Sequence, residues 1–418
     1  LERFEATELP TEADENWRYS RIGDLHLDAF SPYVPDPGKR QRVAQSVAHT
    51  PAKELLAVLG ERAGLIRTLN GYVISAELSQ AATRVNVTLS SASDLPAVPE
   101  HFGTIIAESE DAFTHLGSAG AGDVVMCAVP QGAQLARPIV IIHEIDQSDE
   151  PEMFFPRTLI TVGAGASANV VELISSGDEL CLVVPIVELS VADEAHLSYQ
   201  GIQQLGGRTW QLASHVNEVG RKADLTVFLA ALGGDYARQA TTSTLLGESS
   251  SSHMFAVYFG DGYQVQDMRT FQEHAAPRTR SELVFKGAVA DHARSVYSGL
   301  IHIQKGATKS DASQTNRNLV LSEGAHADSV PNLDIEENDV RCTHASAVGP
   351  IDAELRFYLE SRGLPPDIAD RLILLGFFED LLARSPEAGV AHYLAGVVAE
   401  RLSGRQGGRA LSDAVSTL

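Results

Sequence analysis

From Val124 onward the apolar residues come in short β-branched runs broken by glycines and polar turns, among them VVMCAVPQGAQL, PIVIIHEI, TLITVGAGASANVVEL, CLVVPIVELSV, AHLSYQGI and ADLTVFLAAL. No segment with helical length and spacing interrupts them for about two hundred residues. Strands alternating with helices would predict an α/β fold, so this texture predicts an all-β solenoid or sandwich. Between Gly299 and Arg362 it sharpens into a repeat. Gly306-Ala307 and Gly324-Ala325 lie 18 residues apart, each after an apolar run, and a looser copy places Asp339-Val340 15 residues further on. Rungs of that length without helices favour the solenoid, because one rung alone cannot bury its apolar side. In an 18-residue register Lys309, Ala327 and Cys342 share one column, and Asp311, Ser329 and His344 the next. Cys342 and His344, two apart on one strand, then face the same way.

The flanks read differently. An aromatic, irregular opening from Leu9 to Ser20 predicts a docking arm ahead of a proline-rich connector at Pro32 to Pro37. Helical spacing recurs at Ala52 to Ala63, and Asp111 to Leu116 suggests a short helix. After Pro350, Asp352 is placed to cap a helix over AELRFYLESR, Gly363 to end it, and Pro365-Pro366 to stop it. Further helices are expected near 367–384 and 390–402. The expected organisation is a mostly helical N-terminal domain (1–121), a parallel β core (122–349) and a C-terminal helical domain (350–418).

Composition narrows the function. With 418 residues more than one structural unit is expected. The net charge of −23 repels phosphate backbones and anionic membranes, so no nucleic acid and no membrane is expected as a partner. No leader and no apolar run near membrane-spanning length is apparent. Three cysteines, Cys127, Cys181 and Cys342, argue against a disulfide framework and for a reducing compartment, the cytosol.

Cys342 and His344 are the candidate chemistry. Iron takes thiolate and accepts imidazole, so the pair could fill two corners of a metal site. A cluster needs four ligands, and no second C-x-H or C-x-x-C exists, so the others must come from another subunit or a substrate. The ordinary alternative is a small buried thiol beside a satisfied histidine. Cys127 and Cys181, inside apolar runs, read as core. The Gly163 to Ala168 run imitates a dinucleotide fingerprint but opens no helix, so a solenoid corner is expected there. GATKS at 306–310 lacks the form of a phosphate loop, so any ATP must be handled by a partner. Gln314, Asn316 and Asn318 either form a side-chain hydrogen-bond ladder along the stack or face solvent, and the structural role is favoured. His274, Lys286, His292 and Arg294 either line a sulfur or iron route or sit on solvated strand faces. Two rival functions stand beside this: a carbohydrate-acting β-helix enzyme using Asp311, Asp328 and Asp334, and a nucleotide-dependent oxidoreductase, which needs a helix after the 163–168 glycines.

WRYS (17–20), EHAAPRTRSELVFKG (273–287), the stretch from Tyr297 to Asp352, and FYLESRG (357–363) together resemble the SufB/SufD family of iron–sulfur cluster assembly scaffolds. LPTEADENWRYS, the modest length, and Ala345-Ser346 after the C-x-H point to the SufD-like side of that family. The resemblance implies a mainly β chain, a right-handed parallel β-helix core between N-terminal mixed or helical and C-terminal helical segments. It implies a non-catalytic scaffold that pairs with a SufB-like subunit through this core and with a SufC-like ATPase through the C-terminal helices. Cys342 and His344 would then supply ligands for iron or a nascent cluster shared with SufB. No nucleotide would bind this chain itself, and any reduced flavin would sit on the SufB side. An exposed sheet edge would let the isolated chain form a homodimer.

Overall fold

The computed structural model describes residues 1–35, 49–95, 103–106, 109, 111–146 and 150–404. Strand accounts for 44% of the chain against 22% helix, and the strands stack into a β-solenoid of about eight turns. Two sheets form its walls. Sheet A runs, from the last coil backward, through His326–Ile335, Arg294–Ile303, Val265–His274, Tyr236–Leu245, Thr209–Val219, Ile186–Val191, Arg157–Val162, Val125–Val129 and Thr88–Ser91. Sheet B runs through Arg341–Gly349, Asp311–Val320, Arg280–Val289, Ser251–Gly260, Asp224–Ala231, His196–Gln204, Ser167–Ser176, Ile139–Ile145, Gly64–Leu69 and Tyr72–Leu78. Along both orders the pairing is parallel except at the N-terminal ends, where Thr88–Ser91 and Tyr72–Leu78 add antiparallel strands.

Each coil contributes one strand to each sheet, which corrects the 18-residue rung. Asp311 pairs with Arg341 and Arg294 with His326, so a coil is 30 to 32 residues long in this region. The corners at Gly306, Gly324 and Asp339 are successive half-coils on alternate ends of the strands. The true period is carried by a left-handed corner. Gly165, Glu194, Lys222, Ser249, Arg278 and Lys309 all have φ between 55° and 66°. The amide of each of the first five donates to a carbonyl of the next coil, at 2.8 to 3.0 Å. Each is followed by a small residue, Ala166, Ala195, Ala223, Ser250, Thr279 and Ser310, none more than 1% exposed. Small side chains are required there because the backbone turns inward over the core. The Gly163 to Ala168 run is one of these corners, between two strands, as expected.

The outer faces are covered by the flanks. Helices α1 (Glu2–Ala6), α2 (Thr50–Leu59), α3 (Gln80–Arg84), α4 (Ala112–Gly120), α5 (Ala353–Ser361), α6 (Pro366–Leu382) and α7 (Ala388–Gly404) occur among the described residues. The N-terminal arm docks on sheet A as expected: Trp17 is buried against Phe113 of α4, and the Arg238 guanidinium lies 3.8 Å from its ring centroid. Arg238 and Arg269 donate to the arm carbonyls of Asn16 (2.7 Å) and Arg18 (2.6 Å) while sharing the buried Asp267. Burial alone would raise the Asp267 pKa, but the two guanidiniums hold it below the usual carboxylate range. Helices α2, α6 and α7 cover sheet B with Leu55, Phe378 and Leu394 in one apolar cluster. Lys286 anchors α6 by donating to the Phe377 carbonyl at 2.7 Å and pairing with Asp380 at 2.5 Å. Asp352 caps α5 through bonds from the amides of Glu354 and Leu355, and Gly363 follows with φ 91°. Pro37 of the expected connector lies outside the described residues.

Candidate metal centre

The solenoid is sealed at one end and open at the other. At the N-terminal end Ile66 is fully buried beneath Ala82 of α3, Val87 and Leu89. At the C-terminal end Arg341–Gly349 and His326–Ile335 each pair on one side only among the described residues, which leaves a row of backbone donors and acceptors on each outside the described sheets.

Cys342 and His344 lie on this last sheet B strand. The register places Cys342 over Ala312, His344 over Gln314 and Ser346 over Asn316. Those three underlying residues are buried, so Cys342, His344 and Ser346 continue the interior row. The expected shared face is therefore present, while the columns differ: Ala327 pairs with Ser295 and Ser329 with Tyr297, on the other sheet. Cys342 is half-buried against the cluster of Ile301, Ile303, Ala307 and Ala312. Burial, and secondarily the Asp311 carboxylate, push its thiol up to about 11. It is thus a neutral thiol at pH 7, and binding a metal must displace its proton. His344 is exposed beside it.

The floor of this end is a polar network. Asn318 donates to Asn316 Oδ1 at 2.7 Å, Asn316 donates to the Tyr258 hydroxyl at 2.8 Å, and Ser329 donates to Asn316 Oδ1 at 2.7 Å. Ser346 bonds Ser329 at 2.8 Å, which ties the two free-edged strands together. Two of the three expected ladder residues, Asn316 and Asn318, are interior and bonded to each other, whereas Gln314 is buried but its amide does not join them. What the sequence reading missed is Ser329 and Ser346, whose only signal is their place two or four residues from a registered interior position.

Among the described residues no group of three or more His, Cys, Asp or Glu side chains could hold a metal ion. Cys342 and His344 are at most half a ligand set on this chain. Cys127 and Cys181 are buried, as expected, and form no disulfide, and burial first and Glu172 second push the Cys127 thiol up to about 12. The four middle-region residues do not share one route. His274 is inside the solenoid, bonded to Thr279 (2.8 Å) and Ser281 (2.9 Å), and burial lowers its pKa to about 4. Lys286 holds α6, His292 stacks on Tyr263, and Arg294 pairs with Asp328 on sheet A. Asp328 and Asp334 are six residues apart on one strand, about 20 Å, and Asp311 is on the other sheet. That exceeds the spacing of a glycosidase carboxylate pair. The strand after Gly165 removes the oxidoreductase reading as well.

These features define a parallel β-solenoid whose N-terminal end is covered and whose C-terminal end, uncovered among the described residues, carries Cys342 and His344. Residues 143–377 match the family model described as SUF system FeS cluster assembly, SufBD core domain. The chain belongs to this SufB/SufD family and is SufD-like within it. It is 28% identical over 410 residues to the iron–sulfur cluster assembly protein SufD of Escherichia coli, covering 97% of this chain and 92% of that one. It is 28% identical over 277 residues to SufD of Bacillus subtilis, 66% of this chain and 63% of the other. An iron–sulfur cluster assembly SufBD family protein of Mycobacterium tuberculosis is 37% identical over 206 residues, which spans about half of each chain (47% and 52%). No described helix is long and apolar enough to cross a membrane.

Proposed function

We propose that this chain is a non-catalytic, cytoplasmic scaffold subunit of a SufB–SufC–SufD complex, and that Cys342 and His344 present two ligands to iron or a nascent iron–sulfur cluster, the substrate of the assembly. The observation that carries this reading is the pair's position: a thiol and an imidazole in consecutive interior places of a last coil that none of the described residues covers. Its other two ligands come from a SufB-like subunit that adds its own strands to the free edges of Arg341–Gly349 and His326–Ile335. Exposed Ile335 and Val348 flank that surface. The same edges account for a homodimer of the isolated chain.

The SufC-like ATPase docks on the C-terminal helices. Leu355, Phe357 and Tyr358 of α5 are exposed, Phe357 at 71%, and α5 buries no residue of its own. Nucleotide is left to that partner, a reading supported by the GATKS segment, which folds as a solenoid turn rather than a phosphate loop. Any reduced flavin binds on the SufB side. The test is co-expression with SufB-like and SufC-like partners, comparing wild type with His344→Ala and Cys342→Ala. The expected result is an intact complex with reduced cluster formation, most severely for His344→Ala. Unchanged yield in both variants would reject the ligand role and leave the scaffold role standing, whereas failure to associate would reject both.

A further inference from the structure

The middle coils carry a polar interior where a solenoid core is ordinarily apolar. On the inner face of sheet A, His215, Thr241 and Thr270 fall in one column across three registered strands, and Asn217, Ser243 and Gln272 in the next. All six are buried. Yet His215 Nε2, Thr241 Oγ1 and both amide atoms of Gln272 have no hydrogen-bond partner in the protein, nor do Gln211 Oε1 and Gln266 Oε1 on the same face. The Asn217 amide lies beside the His215 ring without a well-aligned bond.

Leaving one buried polar atom unsatisfied costs about 1–3 kcal/mol. Six of them together would approach the whole stability of a typical domain, about 5–15 kcal/mol. Native interiors resolve this with ordered water when space allows. Space is present beside two of these residues: a cavity of about 60 Å³ lies between the sheets, lined by Gln211, His215 and Gln239 from one and Glu172, Tyr199 and Gln203 from the other. One water occupies about 30 Å³ of liquid, so at least two fit.

The walls select the occupant. Glu172 accepts from His143 (2.7 Å), Thr158 (2.5 Å) and the Tyr199 hydroxyl. Burial works to raise its pKa, but these donors keep it below the ordinary carboxylate range, so a negative charge lines the cavity and excludes anions. The unpartnered atoms include both donors and acceptors and suit a neutral molecule that offers both.

We propose that the interior between Thr209–Val219 and Val265–His274 is a resident water site, a short file of ordered molecules that follows the His215–Thr241 and Asn217–Gln272 columns into the cavity beside Glu172. At its far end Thr270 Oγ1 bonds the Tyr297 hydroxyl at 3.1 Å. This carries the polar column to the coil beneath His344. The proposal does not depend on the cluster-assembly reading.

The test uses the wild-type chain. A crystal structure in which waters are visible is expected to show at least two inside these coils, within hydrogen-bond reach of His215 Nε2, Thr241 Oγ1 or the Gln272 amide. Crystals pressurised with xenon are expected to show none there, because xenon enters dry apolar cavities. Thr241→Val and Gln272→Met are expected to lose the density at the altered atom. Xenon in the cavity, or direct side-chain pairing that satisfies these atoms with no water between, would overturn the proposal.

Discussion

The two ends of the solenoid are made of the same interior rows and differ only in what lies over them. At the N-terminal end the row containing Ile66 is closed by a hairpin strand, α3 and Leu89, and Ile66 is 0% exposed. At the C-terminal end none of the described residues forms a lid over the row of Cys342, His344, Ser346 and Val348, and Val348 is 45% exposed. A stacked fold needs a cap to stay soluble. The described residues cap one end and leave the other uncovered, and the only one of the three thiols that is not fully buried sits at the uncovered end.

The sharpest way to break this contrast is to delete the same kind of side chain at each end. Ile66→Ala removes a fully buried residue and is expected to cost about 2–5 kcal/mol. Val348→Ala is expected to stay within roughly 0.5 kcal/mol in the isolated chain. Urea unfolding of both variants reads the difference, and equal losses would mean that the last coil is covered after all. In a complex joined through the last coil, Val348→Ala is expected to weaken association instead.

Next in size is the dependence of stability on pH, which belongs to the interior. Burial lowers both His215 and His274 to about 4 from an unfolded value near 6.5. The unfolded chain therefore binds protons in a window where the folded chain does not. The stability from keeping these rings neutral is fully present above pH 6.5 and is lost as pH falls toward 4, by roughly 3 kcal/mol for each ring. Urea titrations at pH 7 and pH 4.5 on wild type and His274→Asn are expected to show a shallower acid loss in the variant.

How far the sequence foretold these regions follows the same division. The β texture, the C-terminal helices with their Asp352 cap, the corner at Gly165 and the shared face of Cys342 and His344 were legible because each rests on local chemistry. The coil length was not. Gly306-Ala307 and Gly324-Ala325 are conspicuous pairs on opposite corners, whereas the true column uses Gly, Glu, Lys, Ser, Arg and Lys, six residues with only a backbone angle in common. The legible trace was the next position, Ala166, Ala195, Ala223, Ser250, Thr279 and Ser310, always small and 27 to 31 residues apart. The interior place of His274 was hidden for a related reason: alternation predicts a face, but a polar residue on an inner face looks like one on an outer face until the register is known.

The smallest expected effect separates the thiols themselves. Cys127 and Cys181 are sealed in the core, so iodoacetamide should modify only Cys342 in the folded chain. Its thiol is pushed up to about 11, first by burial and then by Asp311, so its alkylation should be slow at pH 7 and rise about tenfold per pH unit through pH 10. Asp311→Asn removes the negative charge that favours the protonated thiol. The thiolate fraction, and with it the alkylation rate at fixed pH, should rise a few-fold, by less than the desolvation contribution that remains. A rate unmoved by Asp311→Asn would place the whole shift in burial. A rate that falls on addition of a SufB-like partner would instead show Cys342 being covered in the complex, as the proposed function expects.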